Sequence, residues 1–339
     1  MSEPISAGEL RTSLEDFRRD FAELEAEIGT VIVGNEGLIR DILVAIVSRG
    51  HVLLEGVPGL GKTTLVKVLG TALGLEPGRV QCTPDLMPAD VLGTQVIHED
   101  ESRQRSLRFV KGPVFANIVL VDEVNRATPK TQSALLEVMQ EQTVTAGGER
   151  HELPDPFFVL ATQNPMEMEG TYPLPEAQLD RFLFKCRVPF PSEQELVEIS
   201  RRTTQPTSAR ARQMWDAEKL IRFQRVLSEI AVSDEHARYA ASLVLGTHPD
   251  SSPLKAIQRY VAYGASPRGM QALIRGAKVF AALDDRLTVA EEDVKRVAME
   301  ALRHRVILNF EGEAESLQVD DLVRDLLEVV PGVKDRVIA

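Results

Sequence analysis

The sequence predicts an α/β fold: a parallel sheet with helices on both faces, followed by a small all-helical lid domain. Three observations carry that expectation. Five short apolar runs alternate with helical patterns up to about Pro191. One of these runs feeds a glycine-rich loop that opens directly into a helix. Beyond VPFPSEQEL, which starts at Val188, the patterns are helical only.

Taken in order, the chain divides into regions 1–29, 30–190 and 191–339. From about Ser6 to Gly29 it has the pattern of an amphipathic, charge-rich helix. The strands expected in the second region are VLLE after His51, RVQC after Gly78, IVLV after Asn117, FFVLAT after Pro156 and FLFKCRV after Arg181. Such short, non-alternating runs suit strands buried on both faces. Pro189 and Pro191 then break the chain, and Ser192 with Glu195 makes a capping-box pattern for a new helix. Helices are expected to start near Glu193, Asp216, Asp234, Pro267, Glu291 and Asp320, with Thr288 and Glu291 repeating the capping-box pattern.

The bulk numbers narrow the class. A chain of 339 residues, 43% hydrophobic and 27% charged, suits a globular protein of two domains with sizeable cores. The net charge of −12 argues against broad non-specific nucleic-acid binding, though a local basic groove is compatible with it. No apolar run approaches the length of a membrane span, and the acidic start MSEPISAGELRTSLEDF lacks the apolar stretch of a signal peptide. A cytoplasmic chain is the expectation, with Cys82 and Cys186 each inside a strand, as buried reduced thiols rather than a spatial pair.

GVPGLGKTT fits G-x-x-x-x-G-K-[ST], with Gly56, Gly61, Lys62 and Thr63 in the fixed places. Successive backbone N–H groups must curl around a phosphate, and Gly56, Gly59 and Gly61 allow that. Lys62 then reaches the outer phosphates and the Thr63 hydroxyl ligates magnesium. The intervening Val57, Pro58 and Leu60, and Thr64 after them, complete the cradle.

Four further stretches belong with this loop. NIVLVDEVNR places Asp122 and Glu123 at a strand end, where ligands sit in open parallel sheets. There Asp122 suits magnesium and Glu123 suits the attacking water, whereas without the glycine loop they would read as an acidic turn. FFVLATQNP ends another buried strand with Asn164, which either orients the water or touches the terminal phosphate, or else is a turn residue before Pro165. In PEAQLDRFLF, Arg181 lies near the end of a short helix. From residue chemistry alone, pairing with Asp180 is its plainer role, and reaching a neighbouring subunit's nucleotide is the other. In GASPRGMQALIRGAKVF, Ser266 caps a helix and Arg268 lies in its first turn, against the dipole. It is either functional or an exposed surface arginine.

These five stretches, in this order, resemble the AAA+ ATPases and within them the MoxR family. The resemblance runs from about Val31 to Phe190 and includes QCTPDLMPADVLGT, KGPVFANIVLVDEVNRATPKTQSALLEVMQE and ATQNPMEMEGTYPLPEAQLDRF. GASPRG and HRVILNF extend it more weakly into the helical region. The resemblance implies ATP and Mg2+ as cofactors, with Gly56–Thr64 as Walker A and Asp122–Glu123 as Walker B. It makes Asn164 sensor 1, Arg181 the arginine finger and Arg268 sensor 2. Val33 and Gly34 fall where the family's chain passes the adenine, although Gly34-Asn35 replaces the usual Gly-Gln. The family also implies a ring, usually a homo-hexamer, that remodels or matures partner proteins. Such partners often carry a von Willebrand factor A domain. Segments 93–113 and 142–154 take the place of family insertions. Both are polar stretches suited to substrate contact, the second with a hairpin turn at Gly147-Gly148. Two other functions remain beside this one: a DNA-acting motor and a nucleotide-gated scaffold.

Overall fold

The structure, a computed structural model, describes residues 7–57, 59–99, 105–165, 170–204 and 210–333. All five expected sheet strands form: β1 (Val52–Glu55) and β2 (Pro77–Gln81), then, after the hairpin strands β3 (Gly93–Glu99) and β4 (Arg105–Lys111), β5 (Ile118–Asp122). A second hairpin, β6 (Thr143–Ala146) and β7 (Glu149–Glu152), precedes β8 (Phe158–Gln163) and β9 (Phe184–Arg187). The main sheet has the order β2-β5-β8-β1-β9, and every pairing in it is parallel. The central strands are buried throughout their apolar length, which is why their sequences lack alternation. Strand β2 lies at an edge, where Pro77 and Gly78 are tolerated.

Side chains along each strand divide between two cores. One face carries Val52, Leu54, Leu120, Leu160 and Phe184 against helices Ala7–Val31, Glu36–Val47 and Lys62–Leu73 and against the C-terminal helices. The other carries Leu53, Val119, Val121, Val159 and Ala161 against helix Pro129–Glu141. Cys82 falls one residue beyond β2, but its N–H still donates to Asp122 O at 2.9 Å. Cys186 is within β9. Both thiols are free and buried, and burial pushes the Cys82 thiol up to about 12.

The first helix, expected from about Ser6 to Gly29, is described from Ala7, runs on to Val31, and is no appendage. Phe17 packs its ring 5.2 Å from Phe223 and 6.5 Å from Trp215. Arg212 also donates to the Glu27 carboxylate at 3.0 Å. The first helix is thereby fastened to the helical region.

That region contains all six expected helices: Glu193–Thr204, Ala217–Ser228, Asp234–Gly246, Pro267–Leu283, Glu291–Leu302 and Val319–Val329. Two details differ from expectation. The region is not wholly helical, because β10 (Val261–Tyr263) pairs antiparallel with β11 (Ile307–Leu308). Strands of two or three residues lie below the length at which sequence periodicity registers. The capping pattern assigned to Thr288 and Glu291 is also displaced. The cap falls at Ala290, whose N–H donates to Asp293 Oδ2 at 2.8 Å, while Thr288 bridges to Ala231. The Ser192–Glu195 box forms as read, with both reciprocal bonds present.

Gly147 and Gly148 turn the β6–β7 hairpin with φ of 60° and 83°, the left-handed values such a two-residue turn needs. The β3–β4 hairpin is less polar than its sequence suggests. Ile97 and Leu107 face each other across it and are 69% and 67% exposed. Phe109 of the same hairpin stacks on His151 at 4.2 Å, which braces one hairpin on the other. Among the described residues no helix is long and apolar enough to cross a membrane.

Candidate functional site

Strand β1 delivers the glycine loop at the carboxyl edge of the sheet. Gly56 packs so closely on the residue after β9 that a Cβ there would lie 2.8 Å from that of Val188. Gly59 and Gly61 take φ of 87° and 74°, a region that L side chains avoid. Pro58 lies outside the described residues. Helix Lys62–Leu73 starts at the end of the loop, so its first N–H groups and its dipole favour an anion there. Lys62 Nζ donates to Gly56 O at 2.7 Å, and burial pulls the Lys62 ammonium downward against the opposing pull of Asp122 and Glu123.

The ends of β5 and β8 meet this loop. Gly59, Gly61, Lys62, Thr63, Asp122, Glu123 and Asn164 line one cavity of about 320 Å³. Glu123 sits at φ 55°, ψ 53°, a left-handed conformation that a glutamate adopts only when its surroundings fix it. Its N–H donates to Thr162 Oγ1 at 2.8 Å, and the same hydroxyl donates to Asp122 Oδ1 at 2.8 Å. Asp122 Oδ2 accepts from Arg79 at 3.0 Å, and Glu123 Oε2 accepts from Arg126 at 2.9 Å. Thr162, Arg79 and Arg126 were not among the residues expected from sequence. Only Thr162 carried a signal, standing two residues before Asn164 on the same strand face.

The chemistry of this compartment fits magnesium. The Thr63 hydroxyl and the Asp122 carboxylate are hard oxygen donors lining one cavity. Among the described residues no three His, Cys, Asp or Glu side chains converge as a metal cage. Magnesium held here would take its remaining ligands from phosphate and water, as it commonly does.

A second, apolar cavity of about 440 Å³ shares Gly59, Gly61 and Lys62 with the first, so one chamber is ionic at one end and greasy at the other. Ile32, Val33, Leu38, Val188, Leu196 and Ile199 supply the apolar walls, and Leu60, Thr64 and Asn35 also line it. Gly34 and Val57 are neighbours of this slot rather than part of its lining. Gly34 takes φ 67°, a conformation L side chains rarely adopt, with the Glu195 carboxylate against it. Arg202, from helix Glu193–Thr204, lines the slot and donates to Gly29 O at 3.2 Å and Thr30 O at 2.7 Å.

Arg181 and Arg268 are elsewhere. They line a separate cleft of about 230 Å³ with Arg49, Arg275 and Arg305. The pairing of Arg181 with Asp180 does not form. Asp180 is engaged instead by Arg305 at 2.8 Å, by Ser266 at 2.8 and 2.9 Å, and by Arg268 at 3.8 Å. Arg305 is only 3% exposed and also donates to the carbonyls of Asp180, Phe182, Leu183 and Ala301. Burial pulls its guanidinium down to about 10, against the opposing pull of Asp180. Arg268 is an exposed residue at the rim of this cluster, its side chain 43% exposed and 3.8 Å from Asp180.

Topology separates the two cavities. The cleft residues Gly50, His51 and Arg181–Leu183 immediately precede β1 and β9, at the amino ends of the strands. The phosphate-sized compartment lies at the carboxyl ends of β1, β5 and β8. The four residues of β1 alone span about 13 Å between them. No residue lines both.

Comparisons with known proteins agree with this organisation. Residues 51–184 match the model of the ATPase family associated with various cellular activities (AAA), and residues 254–326 match an AAA lid domain. Chaperone MoxR1 of Mycobacterium tuberculosis is 40% identical, over 90% of this chain and 80% of its own. Protein MoxR of Methylorubrum extorquens is 34% identical, over 94% of this chain and 96% of its own. A crystal structure from Cytophaga hutchinsonii, of a protein assigned as an ATPase, superposes with a TM-score of 0.88 at 39% identity, covering 95% of this chain and 97% of that one. With relatives of that name aligned along nearly its whole length, and an ATPase module followed by its lid, the chain belongs to the MoxR family of AAA+ ATPases.

Proposed function

We propose that this chain binds and hydrolyses Mg·ATP and uses the cycle to remodel or mature a partner protein. It would do so in a ring of copies, six by the family's habit. The observation that carries this reading is the separation of the two ionic cavities. Among the described residues no arginine lines the compartment holding Lys62, Asp122 and Glu123, where Arg79 and Arg126 only pair with the two acids, and no phosphate loop lines the cleft holding Arg181 and Arg268. A neighbouring copy that presents its cleft to this compartment supplies what is missing, so both arginines act on a neighbour's nucleotide.

Within that assembly the apolar slot takes the adenine and the glycine loop wraps the phosphates. Lys62 exchanges Gly56 O for phosphate oxygen, and Asn164 and Glu123 orient the attacking water. Glu123 then accepts the water's proton. Thr63 and Asp122 would hold magnesium, which would supply charge neutralisation at the transferred phosphoryl group. The protein-directed role draws on the relative described as a chaperone. A partner with a von Willebrand factor A domain is the proposed class, with the exposed Ile97 and Leu107 of the first hairpin as contact points. The net charge of −12 weighs against a DNA-acting motor.

The Glu123→Gln variant tests the reading. It should bind Mg·ATP like the wild type, turn it over at least a hundredfold more slowly (roughly 10²–10⁴), and sediment as an assembly. Partners retained by this ATP-bound form can then be identified. Wild-type turnover in the variant would remove Glu123 from the mechanism.

A further inference from the structure

We propose that Thr162 is the positioning residue that holds the metal ligand and the catalytic carboxylate in one fixed relation. The proposal rests on the reading of Asp122 and Glu123 given above. Thr162 is 1% exposed and lies on β8, beside the last residue of β5. Its hydroxyl has one proton and two lone pairs, and the structure uses both kinds of capacity. It accepts from Glu123 N at 2.8 Å and donates to Asp122 Oδ1 at 2.8 Å. A single oxygen thus fixes the backbone of one acidic residue and the side chain of the other.

Two features make this control consequential. Glu123 occupies the left-handed region, so its side-chain direction depends on a conformation that must be held from outside. The bond from Glu123 N to Thr162 is a hold of that kind. Asp122 in turn has its two oxygens on different duties. Oδ2 sits on Arg79, an exposed partner that it can exchange for magnesium or a magnesium-bound water. Oδ1 sits on Thr162, a buried partner that it keeps. The direction of the hydroxyl proton also strengthens the arrangement. Donation to a carboxylate makes the hydroxyl oxygen a better acceptor for the Glu123 amide.

The substitution that isolates the hydroxyl is Thr162→Val, which keeps the branched shape. Thr162→Ser keeps the hydroxyl and loses the methyl. Outer-sphere partners of metal ligands typically contribute about 10- to 100-fold in metal affinity or activity. Thr162→Val should lower kcat by that range. Nucleotide affinity is measured with a fluorescent ADP analogue, with and without magnesium. In the valine variant the tightening produced by magnesium should fall by about tenfold or more, while affinity without magnesium stays near wild type. Thr162→Ser should recover most of both effects. Should the valine variant fail to give a cooperative thermal transition, Thr162→Ala replaces it in the same comparison with serine. A folded valine or alanine variant with wild-type kcat and a wild-type magnesium response overturns the proposal. So does a folded serine variant as impaired as valine. A wild-type protein without magnesium-dependent hydrolysis would instead overturn the reading on which the proposal stands.

Discussion

The compartment at the carboxyl ends of the strands and the cleft at their amino ends are both ionic, yet their charges are held in opposite ways. In the compartment each charged group rests on a partner that it can give up. Lys62 is on a carbonyl of its own loop, Asp122 on Arg79, and Glu123 on Arg126, whose side chain is 40% exposed. In the cleft, Arg305 is sealed and its donors go to fixed acceptors on Asp180, Phe182, Leu183 and Ala301. With Asp180 taken by Arg305, Ser266 and Arg268, Arg181 makes no ion pair with it. On the proposed assembly, the contrast would distinguish a receiving site from a presenting one. The first would keep exchangeable internal partners, and the second would immobilise its scaffold so that other charges could be offered outward.

The sharpest way to break this comparison is at Arg181. If it is offered to a neighbour, Arg181→Ala should bind ATP but lose about 10³–10⁵ in turnover. Mixing it with Glu123→Gln, also inactive, should restore activity once subunits exchange. Random exchange makes about a quarter of the interfaces whole, each with the full effect of the finger. A mixture that stays inactive although exchange is demonstrated would place Arg181 in its own subunit's chemistry or require strict coordination around the ring. Next in size is Arg305, which the comparison assigns to structure alone. Arg305→Met leaves Asp180 without its main partner and should cost about 3–5 kcal/mol in chemical denaturation. Little change in stability would mean that the cleft is not sealed as described.

Arg268 should show a smaller effect of the opposite kind. As one charge-stabilising donor to a neighbour's phosphate, Arg268→Ala should lower kcat by about 10²–10³ with little loss of stability. Unchanged kinetics and affinity would return it to the surface. The mildest test concerns His51, which lines the cleft and is buried between Val159 N and Met139 O. Burial pushes its imidazole down to about 4. Above about pH 6.5 the ring is neutral in both folded and unfolded chains, so its contribution is intact. As pH falls from there toward 4, only the unfolded chain takes up the proton, and stability falls by at most about 1.4 kcal/mol per pH unit. Denaturation across that window should show a shallower fall in His51→Asn; an identical slope would show that another group titrates there.

Much of the site was legible because its chemistry dictates local sequence. A phosphate cradle needs glycines at fixed spacing, and strands buried on both faces must be continuous apolar runs, so the glycine loop and the five sheet strands could be located in advance. Asp122, Glu123 and Asn164 followed because ligands gather at strand ends. What was not legible depends on contacts between distant segments. Asp180 was matched to its sequence neighbour Arg181, but its partners Ser266 and Arg305 are 86 and 125 residues away. Thr162 meets Asp122 across 40 residues, only through the register of β5 and β8. Ile97 and Leu107 were hidden in a polar stretch, because exposed apolar residues leave no periodic signature.

The clasp made by Arg202 has a kinetic consequence. The apolar slot has one wall from the chain after the first helix and another from helix Glu193–Thr204, and Arg202 ties the second to the end of the first. If the slot takes the adenine as proposed, the base would leave when these walls part or past the exposed ring of Phe190. The dwell time of spent nucleotide would then depend on how often the two hydrogen bonds from Arg202 to carbonyls open. Lid opening and product release set the pace of many enzymes, and here the timer would be a hinge joining the first helix to the first turns of the lid.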